Sequence, residues 1–530
     1  MHSAFLDSYA LHVLVRTLSG LDRDPLSPTY GCFDRNFWQY KSTDFPSSIL
    51  QQGALTLAVA YSDPFGGNIY YQKERIRDYA AAGISYWSRL VNQTGRLEEY
   101  WPHERSIPAA AFSLYAVCEA SERIRFSNPD FKSAVRKAAS FLKKHRDHEA
   151  LNQEIASIAA IRYAAKVLSD AELKQAADQR FERFLARQEE EGWFAEYQGV
   201  DTGYLSVTLD FLIRDYEIGR DARGLGAAEK LLEFLTYFIH PDGSFGGVYC
   251  SRDSEYFLPY GFAALSAQFP PANPALRKLV QYLCRENYLN LSVDDRYLLH
   301  YLGSSVLKAA ARLSDASPGD KAGLLPCERC FEKHFPKAMI YIKSTPRYYL
   351  IVSLMKGGAF LAFDKKNLRS HADAGYRLTQ GEAVYTLECP LRRPYRIDGD
   401  GIRLETFFSK KKYFIQTPWK RLGMVVFFFV LKDYSASLAR KIKHRFFYSA
   451  KRGVFTFRRT LVLNDAEIRV SDTLDAGRGR ATAWRIPGGV GMRFMPSSKF
   501  FQIHTLSQTD PAESFEIEGK RTVETRVSFE

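Results

Sequence analysis

The chain has few cysteines and no long hydrophobic run. Its longest strongly apolar stretch, MVVFFFVL at Met424 to Leu431, is far short of the about 20 residues a helix needs to cross a bilayer, so no membrane span is expected. Seven cysteines in 530 residues is too thin and uneven a supply for a disulfide framework, and it fits a reducing compartment. The opening stretch MHSAFLDSYALHVLVRTLSG lacks a basic n-region, and Asp7 and His12 break its apolar run, so it does not read as a signal peptide. A cytoplasmic location is expected, or a periplasmic or secreted one if a signal has been removed. No low-complexity tract appears. With 46% apolar residues, a disordered chain is excluded.

Several motif classes are missing as well. No G-x-G-x-x-G, Walker or H-E-x-x-H pattern stands in a persuasive context, and no cofactor is expected. The CERCFEKH cluster offers Cys327, Cys330 and His334, three groups where structural zinc takes four, so no metal is expected either. No recognised nucleic-acid module is visible, which sets aside a nucleic-acid partner despite the net charge of +13. Nothing in the sequence sets an oligomeric state.

What the chain does have is an uneven charge. Residues 1–325 carry 36 Lys plus Arg against 40 Asp plus Glu, and the remainder 37 against 20. Runs such as SKKKY, ARKIKHR and SAKRG alternate with aromatic segments in the basic part, which suggests a polyanionic partner. Lys residues guarding strand edges are the blander explanation of single runs.

The length predicts at least two large domains. Up to about residue 315 apolar residues recur at helical spacing, as in SILQQGALTLAVAY, IPAAAFSLYAVCEASERI, NQEIASIAAIRYAAKVL and TGYLSVTLDFLIRDY. Two loops share Gly-x-Phe, a Tyr and then Asp-[Ser/Thr]-x-Tyr, namely EGWFAEYQGVDTGYLS and PDGSFGGVYCSRDSEYFL, with Asp201 and Asp253 52 residues apart. A fainter copy, GRLEEYWPHE, begins at Gly95. That period fits helical hairpins repeated around a ring, their loops gathered on one face. After SPGDKAGLLPCERC the texture becomes β-branched and aromatic, in AMIYIKSTPRYYLIVSLM, KKYFIQTPWKRLGMVVFFFVL and HRFFYSAKRGVFTFRRTLVLND, which predicts long antiparallel strands in a β-sandwich. The expected organisation is a helical toroid over 1–313, a linker over 314–326 and a sandwich over 327–530.

Three dispersed pieces carry a resemblance. HEALNQEIASIAAIRYAA, GWFAEYQGVDTGYLSVTLDFL and SHADAGYRL, in this order, resemble motifs of the heparinase II/III-like polysaccharide lyases. Asn152, Tyr204 and His371 fall on family positions, while Gln153 and Glu154 stand where the family has a His, and CPLRRPYRIDGDG replaces its Gly-rich loop. The resemblance implies an N-terminal (α/α) toroid followed by a C-terminal antiparallel β-sandwich, and an acidic, uronate-containing polysaccharide as substrate. Uronate polymers are opened by removing the C5 proton, which requires the neighbouring carboxylate to be neutralised so that charge can spread into it. The resemblance gives Asn152 that task, and Tyr204 and His371 the roles of base and acid. Trp193, Glu196, Arg252 and Tyr256 from the repeated loops, with Arg369 and Asp373 beside His371, are the candidate substrate contacts.

Plainer roles exist for each. Asn152 also suits a helix N-cap, Tyr204 a packing position, His371 a structural site oriented by Asp373, and Arg252 a pair with Asp253. Lyase and C5-epimerase both remain open, as does a non-catalytic glycan-binding or scaffold protein.

Overall fold

Two kinds of helix alternate along the first half. In the computed structural model, which describes residues 2–94, 97–286, 296, 298–314, 323–388, 391–411, 417–431, 452–487 and 514–530, they are α1 His2–Gly20, α2 Arg35–Trp38, α3 Gly53–Ser62, α4 Glu74–Thr94, α5 Ile107–Arg123, α6 Pro129–Lys144, α7 Leu151–Leu168, α8 Ala171–Leu185, α9 Thr202–Gly219, α10 Ala222–Thr236, α11 Pro259–Leu265, α12 Ala272–Glu286 and α13 Gly303–Ser314. The odd-numbered helices from α3 to α13 are buried almost all round, and all but α9 carry two or more Ala. The helices between them bury one stripe, as α6 does with Phe131, Ala134, Val135, Ala138 and Leu142. A helix apolar on every side must sit inside others. Accordingly α3, α5, α7, α9, α11 and α13 touch in that order and α13 returns to α3, while α4, α6, α8, α10, α12 and α1 pack outside them. The ring is an (α/α) toroid of six hairpins. Close approach within it needs small residues: a Cβ on Gly261 would lie 2.8 Å from Leu209.

The inner ring holds paired charges. Glu119 meets Lys308 at 3.0 Å and Arg214 at 3.5 Å, and Asp210 pairs with Arg214 while accepting from Ser305 Oγ at 2.6 Å. Burial alone would raise the Glu119 carboxyl; the cations Lys308, Arg123 and Arg214 outweigh it and hold it low. Buried charges of this kind persist only when paired.

Among the described residues eleven strands follow: β1 Phe331–Phe335, β2 Ile340–Ser344, β3 Tyr348–Ser353, β4 Ala359–Asp364, β5 Ser370–Gln380, β6 Ala383–Thr386, β7 Tyr395–Asp398, β8 Gly401–Lys411, β9 Arg452–Leu463, β10 Glu467–Pro487 and β11 Ser514–Ser528. All pairings are antiparallel. In β3, Tyr349 and Ile351 face the helices, and Tyr348, Leu350 and Val352 face Ile402, Leu404, Leu461 and Leu463 of β8 and β9. The sheet departs from a sandwich of two separate sheets. The 21-residue β10 pairs with β9 along its first part and with β5 through Thr482 to Pro487, while β11 pairs with it from Glu467 as far as Trp484, so β5, β6, β8, β9 and β10 close into a barrel. A register shift between Asp475 and Arg480 bends β10 enough to do this. Of the expected linker, residues 315–322 lie outside the described ones, and Pro326–Glu328 form a single 3-10 turn.

One expected strand is a helix. The segment expected to run extended through MVVFFFVL forms α14, Pro418–Leu431. Its uninterrupted apolar run has no period of two, and length alone could not arbitrate. Thr417 starts it, its Oγ accepting from Lys420 N–H at 3.4 Å, with Pro418 next, a start signal of cap plus N1 proline.

Candidate active site

Each inner helix begins at the same end of the toroid, so the loops before α5, α7, α9, α11 and α13 share one mouth. Asn152 lies in the first turn of α7. Its backbone N–H and its Nδ2 both donate to the Glu196 carboxylate, each at 2.7 Å, and Thr208 Oγ1 adds a longer bond of 3.3 Å. Glu196 is fully buried, and burial raises its carboxyl well above the usual range against these bonds. Asn152 is therefore not the N-cap of α7, a position held by Ala150.

A second buried carboxylate organises the next two loops. Asp201 caps α9, accepting from Tyr204 N–H at 3.3 Å, and its other oxygen accepts from Arg252 N–H at 2.8 Å. Burial raises its carboxyl to about 6, opposed by bonds from Ser254, Tyr204 and Arg252. The Arg252 guanidinium lies over the Tyr197 ring at 4.0 Å. Tyr197 in turn meets Tyr204 edge-on at 5.3 Å, and Tyr204 meets Tyr256 at 6.1 Å. Tyr256 Oη and Tyr301 Oη are 3.0 Å apart, and the His300 ring lies 4.0 Å from that of Tyr301. Burial drives the Tyr256 phenol well up and the His300 imidazole well down, so both are neutral groups at ordinary pH. Glycine makes the crowding feasible: a Cβ on Gly203 would lie 2.6 Å from Ser254 and 3.0 Å from Tyr256. Tyr197 and Gln198 both have left-handed backbones, φ 54° and 72°, local strain of the sort that gathers at functional sites.

The structure thus brings together Asn152, Glu196, Tyr204, Arg252 and Tyr256, and places four other candidates elsewhere. His371 is exposed on β5 opposite Ala362, its ring edge-on to Phe529 at 5.9 Å, while Ala372 and Ala374 turn to the helices. Strand alternation therefore points His371 away from the face that meets the toroid, and it does not oppose Tyr204. Asp373 is buried and binds Arg459 and Arg485, each at 3.1 Å, with Arg459 also held by Asp472 at 2.6 Å. Burial would raise Asp373, but the two guanidinium groups hold it low; it is a core ion-pair residue and not a substrate contact. Arg369 stands exposed in the β4–β5 turn, its N–H bonded to Asn367 Oδ1 at 2.9 Å. Trp193 is buried, its Nε1 donating to Glu191 at 2.9 Å and its ring stacked 6.2 Å from Phe234, a packing role. Asp253 pairs with Lys356. His334 donates or accepts with Tyr395 Oη at 3.0 Å, Cys327 is buried and Cys330 exposed, and among the described residues no three His, Cys, Asp or Glu side chains form a metal-sized group.

Sequence reading missed Asp201, Tyr197, Tyr301 and Lys356. The repeat itself held the signal for Asp201, since it places an Asp three residues before each loop tyrosine. Lys356 comes from the turn between β3 and β4 and donates to Val248 O at 2.7 Å and Cys250 O at 2.9 Å; only tertiary contact reveals it.

No family model and no curated protein matches the chain. Solved structures do. The xanthan lyase of Paenibacillus matches with TM-score 0.53 and 11% identity over 91% of this chain and 46% of that one, so this chain spans under half the length of that enzyme. The chondroitin AC lyase of Streptomyces coelicolor A3, in complex with chondroitin sulphate, matches with TM-score 0.54 and 11% identity over 99% of this chain and 77% of that one. A heparinase III matches at TM-score 0.41 and 11% identity over 91% and 71%. At such identity the first two establish a shared fold, a toroid of helical hairpins carrying an antiparallel β half.

Proposed function

We propose that this chain is an enzyme of the polysaccharide lyase class that opens an acidic, uronate-containing polysaccharide by C5 proton abstraction and β-elimination. The observation that carries the reading is the meeting of Asn152, Tyr204, Arg252 and Tyr256 at the toroid mouth, held from behind by Glu196 and Asp201. These are the residue types the chemistry needs. A guanidinium and an amide neutralise the uronate carboxylate, which lowers the cost of charge developing at C5. Tyr204 takes the C5 proton; the electron pair forms the C4–C5 double bond as the C4–O4 bond breaks. O4 receives a proton from Tyr204 itself or from Tyr256, whose phenol burial keeps protonated. The N-termini of α5, α7 and α9 at the same mouth add partial positive charge. The named neighbours support the substrate class, one of them having been crystallised with chondroitin sulphate.

One observation favours a second reading, that of a non-catalytic glycan-binding protein: His371 stands apart from Tyr204, so the expected imidazole–phenol pair is not formed. A single assay separates them. The protein is incubated with a panel of uronate polymers in deuterated buffer, following ultraviolet absorbance of the conjugated double bond and deuterium at C5 by mass. Absorbance that Tyr204→Phe abolishes is the expected result. Deuterium without absorbance assigns a C5-epimerase, and neither signal on a polymer the protein binds assigns the glycan-binding role.

A further inference from the structure

The chain's net charge is concentrated in one insertion. Between β8 and β9, residues 412–451 contain nine Lys plus Arg and a single acid, Asp433, so this stretch supplies more than half of the +13 of the whole chain. Within it lies α14, and α14 is apolar on its outer side. Trp419, Leu422, Val426, Phe429 and Val430 are 81%, 53%, 50%, 55% and 66% exposed. Their spacing of three or four residues makes them one stripe along the helix. On the opposite side Phe428 is buried and Arg421 pairs with Asp44 at 3.2 Å, while Phe429, at one edge of the stripe, meets His103 edge-on at 5.4 Å. A soluble helix ordinarily shows the reverse arrangement, apolar inward and polar outward.

We infer that α14 docks the protein on a lipid bilayer bearing anionic headgroups. A helix of 14 residues is about 21 Å long. It is too short to span, and no helix among the described residues is long and apolar enough to do so. Lying in the interface, it would bury the stripe among acyl chains, with Trp419 at the headgroup boundary, where indole is favoured. Lys420 and Arg421 lie in the first turn of the helix, Arg421 also pairing with Asp44, and the helix itself carries no acid. Cations beside an apolar stripe match an anionic membrane surface. An acidic glycan would satisfy the cations and leave the stripe in water. A second copy of the chain would cover the stripe but set the cations against their own kind. Residues 412–416 and 432–451 lie outside the described ones and enter only through their composition.

The test uses the full chain with extruded vesicles of phosphatidylcholine alone or with 30 mol% phosphatidylglycerol. Co-sedimentation with the anionic vesicles at low salt is expected, with at least about tenfold weaker binding to the neutral ones and a fall as salt rises. Trp419 emission should shift to the blue and be quenched by brominated acyl chains, a change that Trp419→Phe removes. Leu422→Asp with Val426→Asp should abolish sedimentation while the circular dichroism and thermal transition stay those of the parent. Failure to bind anionic vesicles overturns the inference, as does binding that the double variant retains. Self-association lost in that variant, without vesicle binding, assigns the stripe to a dimer contact instead. The polysaccharide assay is read on the parent chain and its Tyr204→Phe variant, neither of which alters α14, so its outcome and that of the vesicle test are read separately.

Discussion

A tyrosine has an ordinary pKa of about 10, so the base role proposed for Tyr204 requires a cation close by, and the Arg252 guanidinium lies over the ring of Tyr197, the residue that meets Tyr204 edge-on. Loss of a general base typically costs about 100-fold to 10,000-fold in rate, and Tyr204→Phe is expected in that range with binding retained. His371→Ala, in contrast, should leave turnover within about tenfold, below what a general base or acid contributes, because its ring packs on Phe529; steady-state kinetics of the two variants side by side check this. Asp201 gives a pH signature. Its folded value near 6 exceeds the ordinary 3.8, so the folded chain holds a proton that the unfolded chain has released. The associated stability is present below pH 3.8 and is lost as the pH rises through about 6. Thermal midpoints measured across that window should fall toward higher pH, and Asp201→Asn should flatten the fall. That Asn152, Tyr204 and Arg252 would gather at one end of the helical half was legible in the sequence, because short loop and helix-start patterns carry them. His371 was misplaced for a physical reason: which face of β5 meets the helices depends on pairing with β4 and β10, and a motif read along one strand carries no information about that.

At the scale of elements, the turn between β3 and β4 is the point where the β half reaches the site. Lys356 on that turn is 4% exposed and ties together Val248 O, Cys250 O and the Asp253 carboxylate, the loop that carries Arg252. Lys356→Met keeps most of the side-chain volume and removes the three bonds. It should raise KM for an acidic polymer more than it lowers kcat, because the guanidinium that meets the carboxylate loses its frame while Tyr204, capped separately by Asp201, keeps its own. Initial-rate kinetics test the split; an equal loss in kcat with KM unchanged would assign Lys356 to the chemical step instead. The inner helices were readable from apolar residues at helical spacing, and α14 was readable in principle from its Thr-Pro start. Its apolar run was assigned to a strand because outward-facing apolar residues run against the pattern that makes surface helices recognisable.

At the scale of the whole molecule, the division into a helical and a strand half was visible in composition and period, whereas barrel closure was not, since it rests on β10 pairing with β5 about a hundred positions earlier. The two halves also share one apolar core. Ile340, Ile342, Tyr349, Ile351, Leu361 and Phe363 from the sheet pack in a single cluster with toroid residues such as Phe234, Phe238 and Tyr249, Phe335 meets Phe234 edge-on at 5.1 Å, and His240 stacks on Phe363 at 4.5 Å. Domains joined by small polar contacts move independently; a large apolar interface couples them. We propose on this basis that the expected boundary at 314–326 separates two architectures but not two folding units. A fragment ending at Ser314 would expose Phe234, Phe238, Tyr249 and Val248 to water, and Lys356 would no longer hold the 248–253 loop. Such a fragment is expected to be less soluble than the full chain and to melt at a lower temperature, and the full chain to unfold in one calorimetric transition. Two well-separated transitions, with the isolated toroid matching one of them, would show that the shared core contributes little to holding the molecule together.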